Sequence, residues 1–188
     1  MKKVFAFIVT LVAVILVNVP CIGTVEAARV AVIPIQIDEN KVERAADFYS
    51  YYWDIMVEKF QYPDYELIDD EEIDKFIPEE GLKTFDEPTL ADICEKTNAE
   101  IVVAMRLEKV DEKAVNFRRE AILQTFMKGE FVSLNRLTGK YYHKNLYHKG
   151  EIDEVLTLRN DWQQQVFASE LKRYINRTIE VKKSKNKL

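Results

Sequence analysis

The run RVAVIPIQI, from Arg29 to Ile37, is apolar at nearly every position and rich in β-branched side chains. A strand that alternates apolar and polar residues needs one covering layer, whereas a near-continuous run of this kind fits a strand buried on both faces. The chain therefore has to supply cover on both sides of a sheet in which this segment is the central first strand. Glu100 to Val110 repeats the demand. It opens as a buried strand and then alternates, with Met105, Leu107 and Lys109 on one side and Arg106, Glu108 and Val110 on the other.

Between these runs the spacing predicts the covering helices. Val42, Ala45, Ala46, Tyr49, Trp53, Met56, Val57 and Phe60 recur at three- and four-residue steps over Lys41 to Phe60, the period of a helix with one buried face. Pro63 and Asp64 end it in a turn, and Tyr65 to Ile68 forms a short strand. A second long helix starts near Pro88, whose fixed φ and missing amide hydrogen suit the first helical position, with Asp86 or Glu87 as cap. Leu90, Ile93, Cys94 and Thr97 share its inner face, and Asn98 stops it.

Beyond Glu100 the alternation of helix and strand gives way to consecutive strands. Ala114 to Arg119 pairs back through a turn at Asp111 and Glu112, and Ala121 to Leu134 is a long strand bent near Gly129. Lys140 to His148 returns after Thr138 and Gly139. The last element is a long amphipathic helix from Ile152 to Glu180, built on Trp162, Val166, Phe167, Leu171, Tyr174, Ile175 and Ile179, with Gln163, Gln164 and Gln165 facing solvent. The expected fold class is mixed α/β (α+β): a central mixed sheet with flanking helices, an N-terminal β-α-β-α-β part, then an antiparallel meander and a long C-terminal helix.

The first 27 residues read as an export signal. Lys2 and Lys3 hold the amino end in the cytoplasm, Val4 to Val17 form the apolar segment, and Val25 and Ala27 offer small residues to a signal peptidase, with the cut between Ala27 and Ala28. The apolar run is short of the roughly 20 residues that span a bilayer, so cleavage is favoured over a retained anchor. Lipidation at Cys21 is the other alternative, but Pro20 and Asn18 stand where that signal wants a small residue and Leu. The mature chain is then expected as a single α/β domain over 28–181, with 182–188 a disordered basic tail and no membrane span remaining.

Loss of Lys2, Lys3 and Glu26 leaves the mature chain one unit more negative than the −5 of the whole, which argues against nucleic acid and anionic membranes as partners. Lys182, Lys183, Lys185 and Lys187 in the tail either touch an anionic surface or simply solvate the chain end, the second being favoured. Cys94 is the cysteine left after cleavage, so no intramolecular disulfide is available in a compartment that often permits one.

Candidate chemistry is sparse. Asp69, Asp70, Glu71, Glu72 and Asp74 could hold a hard cation, but a cap at Asp69 or Asp70 followed by acids in a first helical turn accounts for them, and no glycine stands where a calcium loop turns. Cys94 reads as a small buried hydrophobe without a histidine close in sequence. His143 and His148 fall on opposite faces of one strand, so they cannot share zinc without a bulge. No metal and no cofactor are expected. Arg118, Arg119 and Glu120 form a charge run beside a strand carrying Tyr141, Tyr142 and Tyr147. Arg118, Tyr141 and Tyr147 mark a protein-binding face, because tyrosine and arginine are enriched at interfaces, with a solvated sheet face as the alternative.

The segments RVAVIPI, YELID, TNAEIVVAMRLEKV and VSLNRLTGKYYHKNLYHKG, in this order, resemble a bacterial envelope domain. It occurs in the amino-terminal domain of TolB, in the curli secretion subunit and in the outer-membrane lipoprotein that activates penicillin-binding proteins. Asn-Ala-Glu before an apolar strand and the later strand, Thr-Gly-Lys, strand carry the likeness over nearly all the mature chain. It departs from the lipoprotein members in lacking their usable lipid cysteine, and no channel-forming strands are inserted. The resemblance implies a layered α/β domain that binds other envelope proteins and does no chemistry. The expectation is thus an exported, periplasmic or extracellular, non-catalytic binding or scaffold module, with a homo-oligomer compatible with it. A small-molecule or glycan binder is the alternative, and a hydrolase joining His143, Cys94 and an acid ranks behind both.

Overall fold

A computed structural model describes residues 27–78, 80–117, 120–152 and 162–180. The expected signal segment before Ala27, the tail 182–188 and Arg118 lie outside the described residues. The mixed sheet has the order β3-β1-β4-β5-β6, built from β1 (Ala28–Val32), β3 (Tyr65–Leu67), β4 (Ile101–Phe117), β5 (Glu120–Asn135) and β6 (Lys140–Ile152). β1 runs parallel to both β3 and β4, whereas β4, β5 and β6 form the antiparallel meander. The expected central strand is interrupted: Pro34 cannot donate to a ladder, and the chain resumes as β2 (Gln36–Ile37) beside Arg106 and Leu107 of β4. At the break Ile33 donates its amide to Val103, and its carbonyl accepts the hydroxyl of buried Tyr52 at 2.9 Å.

Both faces of β1 and of the first half of β4 are covered. α1 (Ala45–Lys59) and α4 (Trp162–Ile179) lie side by side on one face, over Val32, Val103, Met105 and Phe131. Phe48 meets Phe167 edge to face at 5.3 Å, and Lys172 pairs with Glu58 at 2.6 Å. α2 (Asp70–Ile73) and α3 (Glu87–Thr97) cover the other, over Ala31, Ile33, Val102, Ala104 and Val132. Asp69 caps α2 and Asp86 caps α3, with Pro88 in its first turn, one place later than expected. Leu90, Ile93, Cys94 and Thr97 form the buried face of α3 and Asn98 ends it with φ 52, as its residues foretell.

Several expectations need correction. α1 starts at Ala45, because Lys41 is tied into a turn by its amide to Asp38 and Val42 bridges to Val110. Its buried face is Phe48, Tyr52, Ile55 and Met56, which turns Tyr49, Trp53 and Val57 outward. No turn forms at Asp111 and Glu112: β4 is continuous, and the two acids sit opposite Phe126 and Thr125 in the ladder. The register slips at Glu108, between Leu107 opposite Gly129 and Lys109 opposite Lys128. This bulge puts Val110, not Lys109, on the buried face with Met105 and Leu107. β6 extends to Ile152, past the expected end at His148, and the described part of the last helix starts at Trp162, with 153–161 outside the described residues. Gln163 and Gln164 are buried rather than solvated, donating to the Asp111 carbonyl at 3.3 Å and to Asp47 at 3.4 Å.

Phe131 lies fully buried against Tyr142 and Tyr174. Phe131→Ala is expected to lower unfolding free energy in urea by about 3–5 kcal/mol. A methyl group at Gly129 would fall 2.5 Å from the Arg106 carbonyl oxygen. Gly129→Ala is therefore expected to cost about 1–3 kcal/mol through a forced shift of β4.

Candidate functional site

Past the bulge the helical cover on the α3 side ends, and no helix among the described residues covers the outer face of the sheet. Alternation along β6 aims Tyr141, His143, Asn145 and Tyr147 to that face, with Tyr142 and Leu146 packed toward α4. Tyr141 and Tyr147 thus share a face, as expected, but differ in role. Tyr141 is half-buried beneath the segment leading into α3, donates its hydroxyl to the Phe85 carbonyl at 2.7 Å, and has its phenol pKa raised by burial first and by Glu130 next. Tyr147 is 68 % exposed and meets Phe126 edge to face at 5.4 Å, while Lys109 stands 5.7 Å over the Phe126 ring.

A polar chain crosses the strands between the two tyrosines. Arg106 donates to Gln36 Oε1 through Nε and Nη2 at 3.1 and 3.0 Å, donates to the Leu82 carbonyl at 2.7 Å, and lies 4.4 Å over the Phe85 ring. Glu130, directly opposite Arg106 in the ladder, lies 3.9 Å from Nη1 and 2.9 Å from His143 Nε2. Sequence reading did not single out Arg106, Glu130, Phe126 or Lys109. Cross-strand registration, which joins them, follows from the bulge and turn and not from any local spacing.

A concave feature lies at the carboxyl end of β1. α1 leaves β1 on one face and α3 enters β4 on the other, so the crevice falls where the connections diverge, the usual ligand position in sheets of this kind. It encloses about 670 Å³ between Ile35, Tyr49 of α1, and Asp74, Ile77, Pro78 and Glu80 of the segment after α2. A smaller hollow of about 130 Å³ beside it brings in Trp53 and Asp70. Burial, followed by the charges of Asp74 and Asp69, raises the pKa of Asp70. Gln36 Nε2 is buried against Gly81 and has no hydrogen-bond partner among the described residues.

The remaining candidates do not converge. His143 and His148 take opposite faces of β6, and Cys94 is sealed between α3 and the sheet. Among the described residues, no three His, Cys, Asp or Glu side chains gather around a point that could hold a metal ion.

Models of known protein families and characterised proteins give no match to the sequence. Solved structures with some likeness include a putative neuraminyllactose-binding hemagglutinin homolog from Helicobacter pylori, with 13 % identity, TM-score 0.45, and coverage of 84 % of this chain and 87 % of that one. Lipoprotein GNA1162 from Neisseria meningitidis has 5 % identity, TM-score 0.42, and coverage of 78 % and 99 %. The C-terminal domain of LpoB from Escherichia coli has 12 % identity, TM-score 0.36, and coverage of 76 % and 94 %. With TM-scores below 0.5, these likenesses assign neither family nor activity to the chain.

Burial pushes the Cys94 thiol up to about 11, so at pH 8 the thiolate that reacts is scarce. Native protein is expected to resist a thiol reagent at pH 8 and to react fully once unfolded in guanidinium. Rapid native labelling would show that α3 opens readily from the sheet.

Proposed function

We propose that the chain is an exported cell-envelope protein that binds other envelope proteins without catalysing a reaction, and that it docks them on the outer face of β4, β5 and β6. The observation that carries the docking face is the exposed Tyr147, set on Phe126 beside Lys109, within a sheet face that no helix among the described residues covers. An amphipathic aromatic anchor within a polar surround is the usual make-up of a protein interface. Export is supported by the charged, apolar and small-residue segments of the first 27 residues. Among the described residues no helix is long and apolar enough to cross a membrane. Arg118, outside the described residues, is a further candidate contact proposed from the sequence alone. A small-molecule or glycan binder is the second reading, favoured by the crevice of about 670 Å³, a volume within the range of ligand pockets.

Tyr147→Ala and Arg118→Ala are expected to reduce partner recovery in crosslinking from intact envelopes several-fold, with unfolding free energy changed by no more than about 0.5 kcal/mol. Tyr141→Ala is expected to lower stability as well, since it removes the hydroxyl bound to Phe85. Unchanged crosslinks in all three variants would remove the outer face as the docking surface. Intact mass of the exported protein is expected to correspond to a chain beginning at Ala28, and a lipid on Cys21 would overturn that cut.

A further inference from the structure

We infer that the crevice at the carboxyl end of β1 is a second binding site, independent of the outer sheet face, which takes a lysine or arginine side chain of an extended, apolar partner peptide. Its walls and rim divide by chemistry. Ile35, Ile77 and Pro78 supply apolar contact for an aliphatic stem, and Asp74 and Glu80 stand on the lining as carboxylates for a cationic head. The adjoining hollow adds Asp70 and the indole of Trp53. Aromatic faces attract ammonium and guanidinium groups, and long cationic side chains lay their stems on apolar surface while the head stays polar.

Local structure accounts for Asp70, in the first turn of α2, but not for Asp74 and Glu80. Asp69 is the residue that caps α2, and Asp74 stands at the other end of that helix, where the backbone already exposes carbonyl oxygens. Among the described residues no ion pair involves Asp70, Asp74 or Glu80, while Asp38, Glu58, Glu72 and Asp92 each have one. Burial first, and then the charges of Asp74 and Asp69, raise the pKa of Asp70, and an incoming cation offsets the like-charge part.

The surface beside the crevice favours a peptide over a small cation. Tyr49, Trp53 and Val57, at four-residue steps on α1, are 38, 38 and 42 % exposed, and Pro34 continues the strip onto the crevice lip. Such a strip runs past the reach of a single side chain. It matches apolar residues flanking the cation in an extended segment, while the acidic rim selects the sign of the charge.

The test uses the full chain and three labelled, end-blocked pentapeptides: LARAL, the same peptide with citrulline for arginine, and LAEAL. Fluorescence anisotropy is expected to show saturable binding of LARAL alone, weakened about tenfold by Asp74→Asn with Glu80→Gln and about tenfold by raising salt from roughly 0.05 to 0.5 M. Trp53→Ala is expected to weaken it as well, and Tyr147→Ala to leave it unchanged. Equal binding of the citrulline peptide, or no binding of any peptide at millimolar protein, would overturn the proposal. Equally tight binding of free N-acetylarginine amide would assign the crevice to a small cation and overturn the peptide. A Tyr147→Ala effect of the same size would mean a single shared surface, and would overturn the independence of the two sites.

Discussion

Two-sided burial of β1 and of the first half of β4 is the constraint from which the rest of the architecture follows. Val30, Val32, Ile101 and Val103 belong to the core beneath α1 and α4, while Ala31, Ile33, Val102 and Ala104 belong to the core beneath α3. β3 and β4 flank β1 in parallel, and the two crossovers pass on opposite faces and so supply both layers. That divergence leaves the crevice at the carboxyl end of β1. The constraint lapses at the Glu108 bulge, beyond which β4 carries Lys109, Asp111 and Lys113 as exposed residues. One helical layer suffices there, and a face without helical cover among the described residues is the consequence.

What was legible in the sequence was what chain-local chemistry decides. The buried runs, the Asp86 cap, Pro88, the Asn98 stop and the inner face of α3 each depend on residues within a turn or two of one another. What was not legible depends on distant segments. α1 carries two apolar stripes, Phe48-Tyr52-Ile55 and Tyr49-Trp53-Val57, and hydrophobic spacing cannot say which of them the sheet and α4 will cover. Asp111 and Glu112 resemble a turn by composition but stay in the ladder, since they include no residue with a special backbone need and their strand is exposed there. Gln163 and Gln164 are buried because Asp111 and Asp47, far away in sequence, offer them acceptors.

The same division holds for the candidate sites. Period-two alternation placed Tyr141 and Tyr147 on one face of β6, but it could not show that the first bonds to Phe85 while the second stays open. The crevice is assembled from the end of β1, one face of α1 and the segment after α2. No spacing within any one of these segments announces it. Its aromatic wall was hidden by the expectation that Tyr49 and Trp53 lie in the core.

Arg106, Glu130 and His143 form a partly exposed chain of charge and hydrogen bonds, and pairs of this kind contribute little to stability in water. Their effect is better sought in what an uncovered sheet face has to avoid. Apolar residues at these positions would turn the face into a continuous patch prone to unspecific association, and β6, the outermost strand on that side among the described residues, would extend that hazard. Charged cross-strand neighbours keep the face wet and confine aromatic contact to the Tyr147 and Phe126 pair. An interface selective for one partner needs this arrangement, because a small aromatic anchor surrounded by polar groups penalises any partner that leaves those groups unpaired.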